Sequence, residues 1–197
     1  MKGGLWNDSP TLDWLKDQMS DITPNQRWVD IGLTDVLAGT YVDYLESDLE
    51  GTDSLENVLY ANFAQAGIFP PVAYNNTEYL QGSTIWDLDI FSVVNECVAQ
   101  GYSFENIVVD VLLTSDRSLK KVDASDYNSL QMLMRYLVIE RYYGNMDGLL
   151  RAQFAYPDVT FRHVIAPSTA LADSFEPLSL TSDQVDSIWT QGVYDGT

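Results

Sequence analysis

Residues 79–90 read YLQGSTIWDLDI: a short extended segment, the pair Gln81-Gly82, then Ser83 and a helix. A glycine turn between strand and helix is a place where folds present catalytic side chains, and a serine oxygen beside a base there would serve acyl transfer. The side chain before this glycine is an amide. It exchanges hydrogen bonds but carries no titratable base near neutrality. The G-x-S-x-G turn that lifts a serine above an α/β sheet is absent: Ser54 follows Gly51 at the wrong spacing, and Ser83 lies directly after Gly82 without the elbow pattern. Both serines are expected to be cap and turn residues.

The other reactive side chains make no complete set. The single histidine, His163, alternates with Phe161 and Ile165 on a strand-like run, so it is expected as a packed structural residue. Asp30, Asp35, Asp87, Asp89 and Asp110 fall at element ends, where paired carboxylate chemistry and capping have the same spacing. Cys97, the one cysteine, excludes an internal disulfide and a multi-cysteine zinc site, and its apolar neighbours predict a buried, inert thiol. Gly3-Gly4 is too short for an oxyanion or phosphate loop, and no P-loop or dinucleotide fingerprint occurs. No cofactor and no metal are expected.

The chain has 197 residues, 46% of them hydrophobic, enough for one sizeable core, and a single domain over 1–197 is the expectation. Against 10 basic residues stand 29 acidic ones, a formal charge of −19 that repels phosphate backbones and gains nothing from an anionic membrane. Nucleic acid is excluded as a natural class of partner. The acidic run DYLESDLEGTDSLE lacks the calcium-loop ligand order and reads as a solvated surface. No stretch approaches a membrane-spanning length, and MKGGLWNDSP lacks a signal-peptide core, which favours an intracellular location. Asn75-Asn76-Thr77 fits a glycosylation sequon of the kind that arises by chance.

These residues would be positioned by alternating strands and helices. Periodicity predicts a helix over 11–19, a break at Thr23-Pro24-Asn25, a strand over 27–34 and, across Gly39, a second strand over 41–45 that makes a hairpin. A helix capped by Asp53 or Ser54 runs to about Gln65, with Gly67 and Pro70-Pro71 enforcing an extended exit. Asp87 or Asp89 caps a helix ending at Gly101. The run NIVVDVLLT has the look of a strand covered on both faces. A helix over 125–145 carries Leu130, Leu133, Met134, Leu137, Val138 and Ile139 as a core stripe, followed by a strand over 159–167 and a helix from Ser182 stopped by Gly192. The pattern predicts an α/β layered fold, at least partly parallel, with only four or five strands.

Taken in order, the segments GLWNDSPTLDWL, RWVDIGLTDVLAGTYVDY, AGIFPPVAYNNTEYLQGSTIWDLDI, NIVVDVLLTSD, YYGNMDGLL and YPDVTFRHVIAPSTAL resemble the patatin-like phospholipase family over most of the chain. The resemblance implies a three-layer α/β/α sandwich with a mostly parallel sheet, and lipid acyl-ester hydrolysis by a serine–aspartate dyad. In that family the aspartate opens Asp-Gly-Gly. Here Gln81 stands at the aspartate position, Gly82 matches the first glycine, and Ser83 replaces the second. The serine elbow and its glycine loop have no counterpart in these residues, so the implied fold is an incomplete sandwich. The expected role is that of an inactive domain serving as a structural or interaction subunit, with a protein partner in a hetero-oligomer covering an exposed sheet edge. Retained lipid binding, or service as the C-terminal half of a split hydrolase completed by another chain, are the alternatives.

Overall fold

The computed structural model describes residues 9–19, 28–45, 49, 54–114, 118–169 and 181–196. The expected break at Thr23-Pro24-Asn25, the cap at Asp53 or Ser54 and most of the acidic run lie outside the described residues and side chains. The chain is α/β and forms two compact units, 1–93 and 94–197.

In the 1–93 unit, α1 (Ser9–Met19) packs on α2 (Ser54–Phe63), and α2 packs on an antiparallel sheet. The sheet order is β2-β1-β4-β3, with β1 Asp30–Asp35, β2 Thr40–Leu45, β3 Val72–Tyr74 and β4 Thr77–Gln81. Its core joins Ile31 and Leu33 of β1 to Val58 and Ala61 of α2 and Leu15 of α1, all buried. The β1–β2 hairpin forms as expected. Asp35 Oδ1 accepts the N–H groups of Leu37 and Ala38 at 2.8 and 2.9 Å, and Gly39 takes φ +69° to close the turn. The strand starts later than predicted, because Trp28 and Val29 are exposed and lie ahead of β1.

A second hairpin, β3–β4, lies where the prolines led us to expect only an extended path. Its turn is Asn75-Asn76, with φ 51° and 64°, the left-handed pair that a two-residue hairpin demands and that asparagine tolerates. Tyr74 and Tyr79 of this hairpin gather with Tyr44 of β2, and the Tyr44 and Tyr79 hydroxyls share a 2.7 Å hydrogen bond.

The division falls within α3 (Ile90–Ala99). Asp89 caps it by accepting the Ser92 N–H at 3.0 Å, and Gly101 ends it at φ +94°. Beyond it, β5 (Val108–Leu112) runs parallel to β6 (Thr160–Ile165), joined by the crossover helix α4 (Ser129–Ala155). A capping box between Asn128 and Gln131 starts α4. Helix α5 (Ser182–Asp195) starts with a like box, Thr181 and Gln184, and continues through Gly192, the expected stop, to a cap at Gly196.

Five further expectations are corrected here. Parallel pairing is confined among the described strands to β5 and β6: β1–β2 and β3–β4 are antiparallel because turns of four and two residues join them, and β4 pairs antiparallel with β1 across a longer connection. The apolar run of β5 is not covered on both faces: Val111 is 3% exposed, but Val108 and Leu112 are 52% and 72% exposed. The α4 stripe is not core, since Leu130, Leu133 and Leu137 are exposed, and the buried face is Asn145, Leu149 and Ala152. A helix of 27 residues spans about 40 Å and a five-residue strand about 17 Å, so a short two-stranded sheet covers only part of it. His163 is exposed on β6 rather than packed, and Cys97 is half-buried.

Candidate functional site

Gln81 and Gly82 sit where β4 ends, and the backbone there is held from both sides. Gln81 pairs with Leu33 of β1, its N–H donates to the Ala64 carbonyl at 3.1 Å, and its carbonyl accepts the Thr34 hydroxyl at 3.0 Å. Past it the chain turns through one 3-10 turn, Gly82–Thr84, in which the Gly82 carbonyl accepts the N–H groups of both Ile85 and Trp86 at 2.9 Å. That turn swings the Trp86 ring to Tyr41, with ring centroids 5.0 Å apart.

The turn needs glycine for space rather than for a left-handed φ. A Cβ on Gly82 would stand 2.5 Å from the Gly32 carbonyl oxygen and 2.7 Å from its carbon. Gly32 is itself covered by Tyr41, whose hydroxyl would lie 1.8 Å from a Cβ there. The same Gly32 carbonyl accepts the Asn62 side-chain amide at 2.8 Å, which ties α2 to β1 beside the turn.

Around this crossing the 1–93 unit holds a cavity of about 310 Å³. Gln81, Gly82 and Ser83 form one part of its wall. Asp30 enters from β1, Asn62 from α2, and Tyr41 from β2. Trp86, Asp87 and Asp89 come from the segment leading into α3. The Tyr41 phenol is pushed well above its ordinary pKa, first by burial and then by the Asp89 carboxylate facing its hydroxyl, with Asp30 and Asp43 adding to the effect. It therefore stays a neutral hydrogen-bond donor at every physiological pH.

The structure thus brings together six of the residues singled out in the sequence: Gln81, Gly82, Ser83, Asp30, Asp87 and Asp89. The others go elsewhere. Asp35 closes the β1–β2 turn, Asp110 is paired with Arg162, and neither His163 nor Cys97 lines the cavity. Sequence reading missed Tyr41, Trp86, Asn62 and Gly32. Only Gly32 carried a signal: an isolated glycine in a strand marks a bulge or a close backbone approach, and here it is the latter.

The chemistry open to this arrangement is limited by geometry. A general base has to lie within hydrogen-bond reach of the hydroxyl it activates. Among the described residues no hydrogen bond joins Ser83 to a carboxylate, and the Gln81 side chain makes none either. Among the described residues, no three His, Cys, Asp or Glu side chains are grouped to hold a metal ion. No helix among the described residues is long and apolar enough to cross a membrane. Compared with models of known families and with curated proteins, the chain matches none.

Proposed function

We propose that this chain is a catalytically inactive patatin-like domain, derived from a lipid acyl hydrolase, that serves as a structural or interaction subunit of a larger assembly. Its sheet would be an incomplete form of the family's three-layer α/β/α sandwich, an extension of the α/β arrangement described above. Two features of the turn support the loss of chemistry. Gln81 offers an amide where the resemblance places an acid, and Ser83 has no carboxylate bonded to it.

The observation that carries the subunit reading is the edge of β5. Among the described residues this strand pairs with β6 alone, and it presents Val108 and Leu112 largely exposed. An apolar strand with free backbone donors and acceptors on one side is a template for another chain, and proteins cover such edges. A protein partner adding strands or a helix there is the simplest cover, and it makes a hetero-oligomer the natural state. The polar cavity lining supports this reading over lipid storage, since an acyl chain would meet Asp30, Asp87, Asp89 and Asn62.

Sedimentation velocity on the purified chain tests the reading. We expect concentration-dependent association that Leu112→Lys reduces, because a lysine on an exposed edge position opposes strand pairing without touching the core. A single stable 22.1 kDa species over the whole concentration range would remove the argument for a partner.

A further inference from the structure

Helices α4 and α5 each leave an apolar face uncovered, and the two faces match in length and oppose in charge. On α4, Leu130, Met132, Leu133, Tyr136 and Leu137 share one broad side of the N-terminal turns and are 40 to 66% exposed. On α5, Val185, Trp189 and Val193 recur at every fourth position and are 50 to 75% exposed. At 1.5 Å per residue the two patches run about 11 and 12 Å along their helices. Both stand open within one copy, so neither shields the other, and contiguous apolar surface of this kind marks an interaction site. The charges assort by helix. In a chain of formal charge −19, α4 is the one described helix with an excess of basic residues, Arg135, Arg141 and Arg151 against Glu140 and Asp147. Helical spacing puts Arg135 and Arg141 on the two borders of its patch. Helix α5 carries Asp183, Asp186 and Asp195 and no basic residue, which makes it the most acidic described helix.

We propose that these faces pair between two copies of the chain, α4 of one against α5 of the other, in a reciprocal two-fold dimer. The two-fold arrangement makes the same contact twice and closes on itself, so no patch is left over to seed a filament. Side chains of the two patches interdigitate as in any helix pair, and Asp186, at the border of the α5 stripe, comes to the arginine borders of α4. Eight large apolar side chains about half exposed offer on the order of 100 Å² each, so a copy contributes roughly 800 Å², the size of a standard protein interface. Charge selects this pairing over its rivals. An α4 to α4 contact brings arginine borders together, and an α5 to α5 contact joins two runs of aspartate. The C-terminal half of α4 is a poorer seat for α5, since Asp147 and Arg151 pair with each other on its exposed side. This surface is distinct from the β5 edge, and the dimer does not rest on the subunit reading.

Sedimentation equilibrium of the full chain carrying Leu112→Lys, which suppresses association through the β5 edge, tests the dimer. We expect a monomer–dimer equilibrium. Adding Trp189→Lys or Leu133→Glu should each weaken it at least about tenfold, because each substitution strikes both copies of the contact. Leu150→Glu makes the same charge change as Leu133→Glu on the C-terminal half of α4, at a similarly exposed position, and should leave the equilibrium unchanged. Mixing the Trp189→Lys and Leu133→Glu chains should restore association at least about tenfold over either alone. In the mixed dimer one contact is unmodified, and the other brings a lysine to a glutamate. A monomer at every concentration, a Trp189→Lys chain that still dimerises, equal losses from Leu150→Glu and Leu133→Glu, or a mixture that restores nothing would each overturn the proposal. Should either weakening variant lose the native circular dichroism spectrum, Val185→Lys or Tyr136→Glu takes its place on the same patch. The two surfaces fail separately. Association abolished by Leu112→Lys alone would end this proposal and leave the edge reading standing, whereas a dimer indifferent to Leu112→Lys but lost with Trp189→Lys would do the reverse.

Discussion

Replacing Gly82 by alanine puts the crossing of β1 and the Gln81-Gly82 turn under direct strain. The new methyl group would lie 2.5 and 2.7 Å from the Gly32 carbonyl oxygen and carbon, distances that real Cβ atoms do not tolerate. Both atoms are backbone of a central strand whose carbonyl also holds Asn62, so no side-chain rotation relieves the contact. Overpacking of this kind costs about 1–3 kcal/mol, and a clash with fixed backbone belongs at the upper end. Gly32→Ala meets a different obstacle, the Tyr41 ring, which can move away at the cost of its contact with Trp86. A double-mutant cycle separates the two. In a Tyr41→Ala background, Gly32→Ala should lose most of its penalty, whereas Gly82→Ala should keep nearly all of its own. Urea unfolding measures each step, read as a midpoint shift at constant slope. Equal rescue of both substitutions, or a neutral Gly82→Ala, would refute the claim that backbone crowding fixes this turn.

Three further outcomes follow from single contacts. Tyr44 ionises above its ordinary pH because of burial first and its bond with Tyr79 second, so Tyr79→Phe should lower that pH without restoring the ordinary value, as followed by phenolate absorbance. With its folded pKa raised, the contribution of neutral Tyr44 to stability is complete below the unfolded value of about 10 and is lost as pH rises through the folded one. The Asp110 carboxyl is held below its ordinary range chiefly by hydrogen bonds from the Arg162 guanidinium, so its contribution persists above the unfolded pKa and is lost as pH falls through the folded one; Arg162→Gln should move the carboxyl resonance titration upward, and an unmoved curve would contradict the pairing. In the β3–β4 turn, Asn76→Gly should be neutral or stabilising while Asn76→Val should cost about 1–2 kcal/mol in urea unfolding, because a branched residue resists φ 64°.

Much of the fold was legible because its signals are local. The first hairpin could be read from Gly39 between two alternating runs, and the α3 boundaries from Asp89 and Gly101. The β3–β4 hairpin was hidden because its strands are only three and five residues long and its Asn75-Asn76 turn also spells a sequon. The burial of β5 is hidden for a deeper reason: a run of valines and leucines looks the same whether one face or both are covered, and only what packs on each face of the sheet decides it. The candidate site was half legible. Gln81 and Gly82 stood out as a turn, but Tyr41 reaches it through the β1–β2 register, which places it opposite Thr34, and no local pattern announces that.

Hydrolysis of a short-chain p-nitrophenyl ester by the purified chain, run beside Gln81→Asp and Ser83→Ala, tests the central claim most directly. The account predicts that the unmodified chain and Ser83→Ala release p-nitrophenol at the same background rate, since Ser83 has no base to take its proton. Turnover by the unmodified chain that Ser83→Ala abolishes would contradict it.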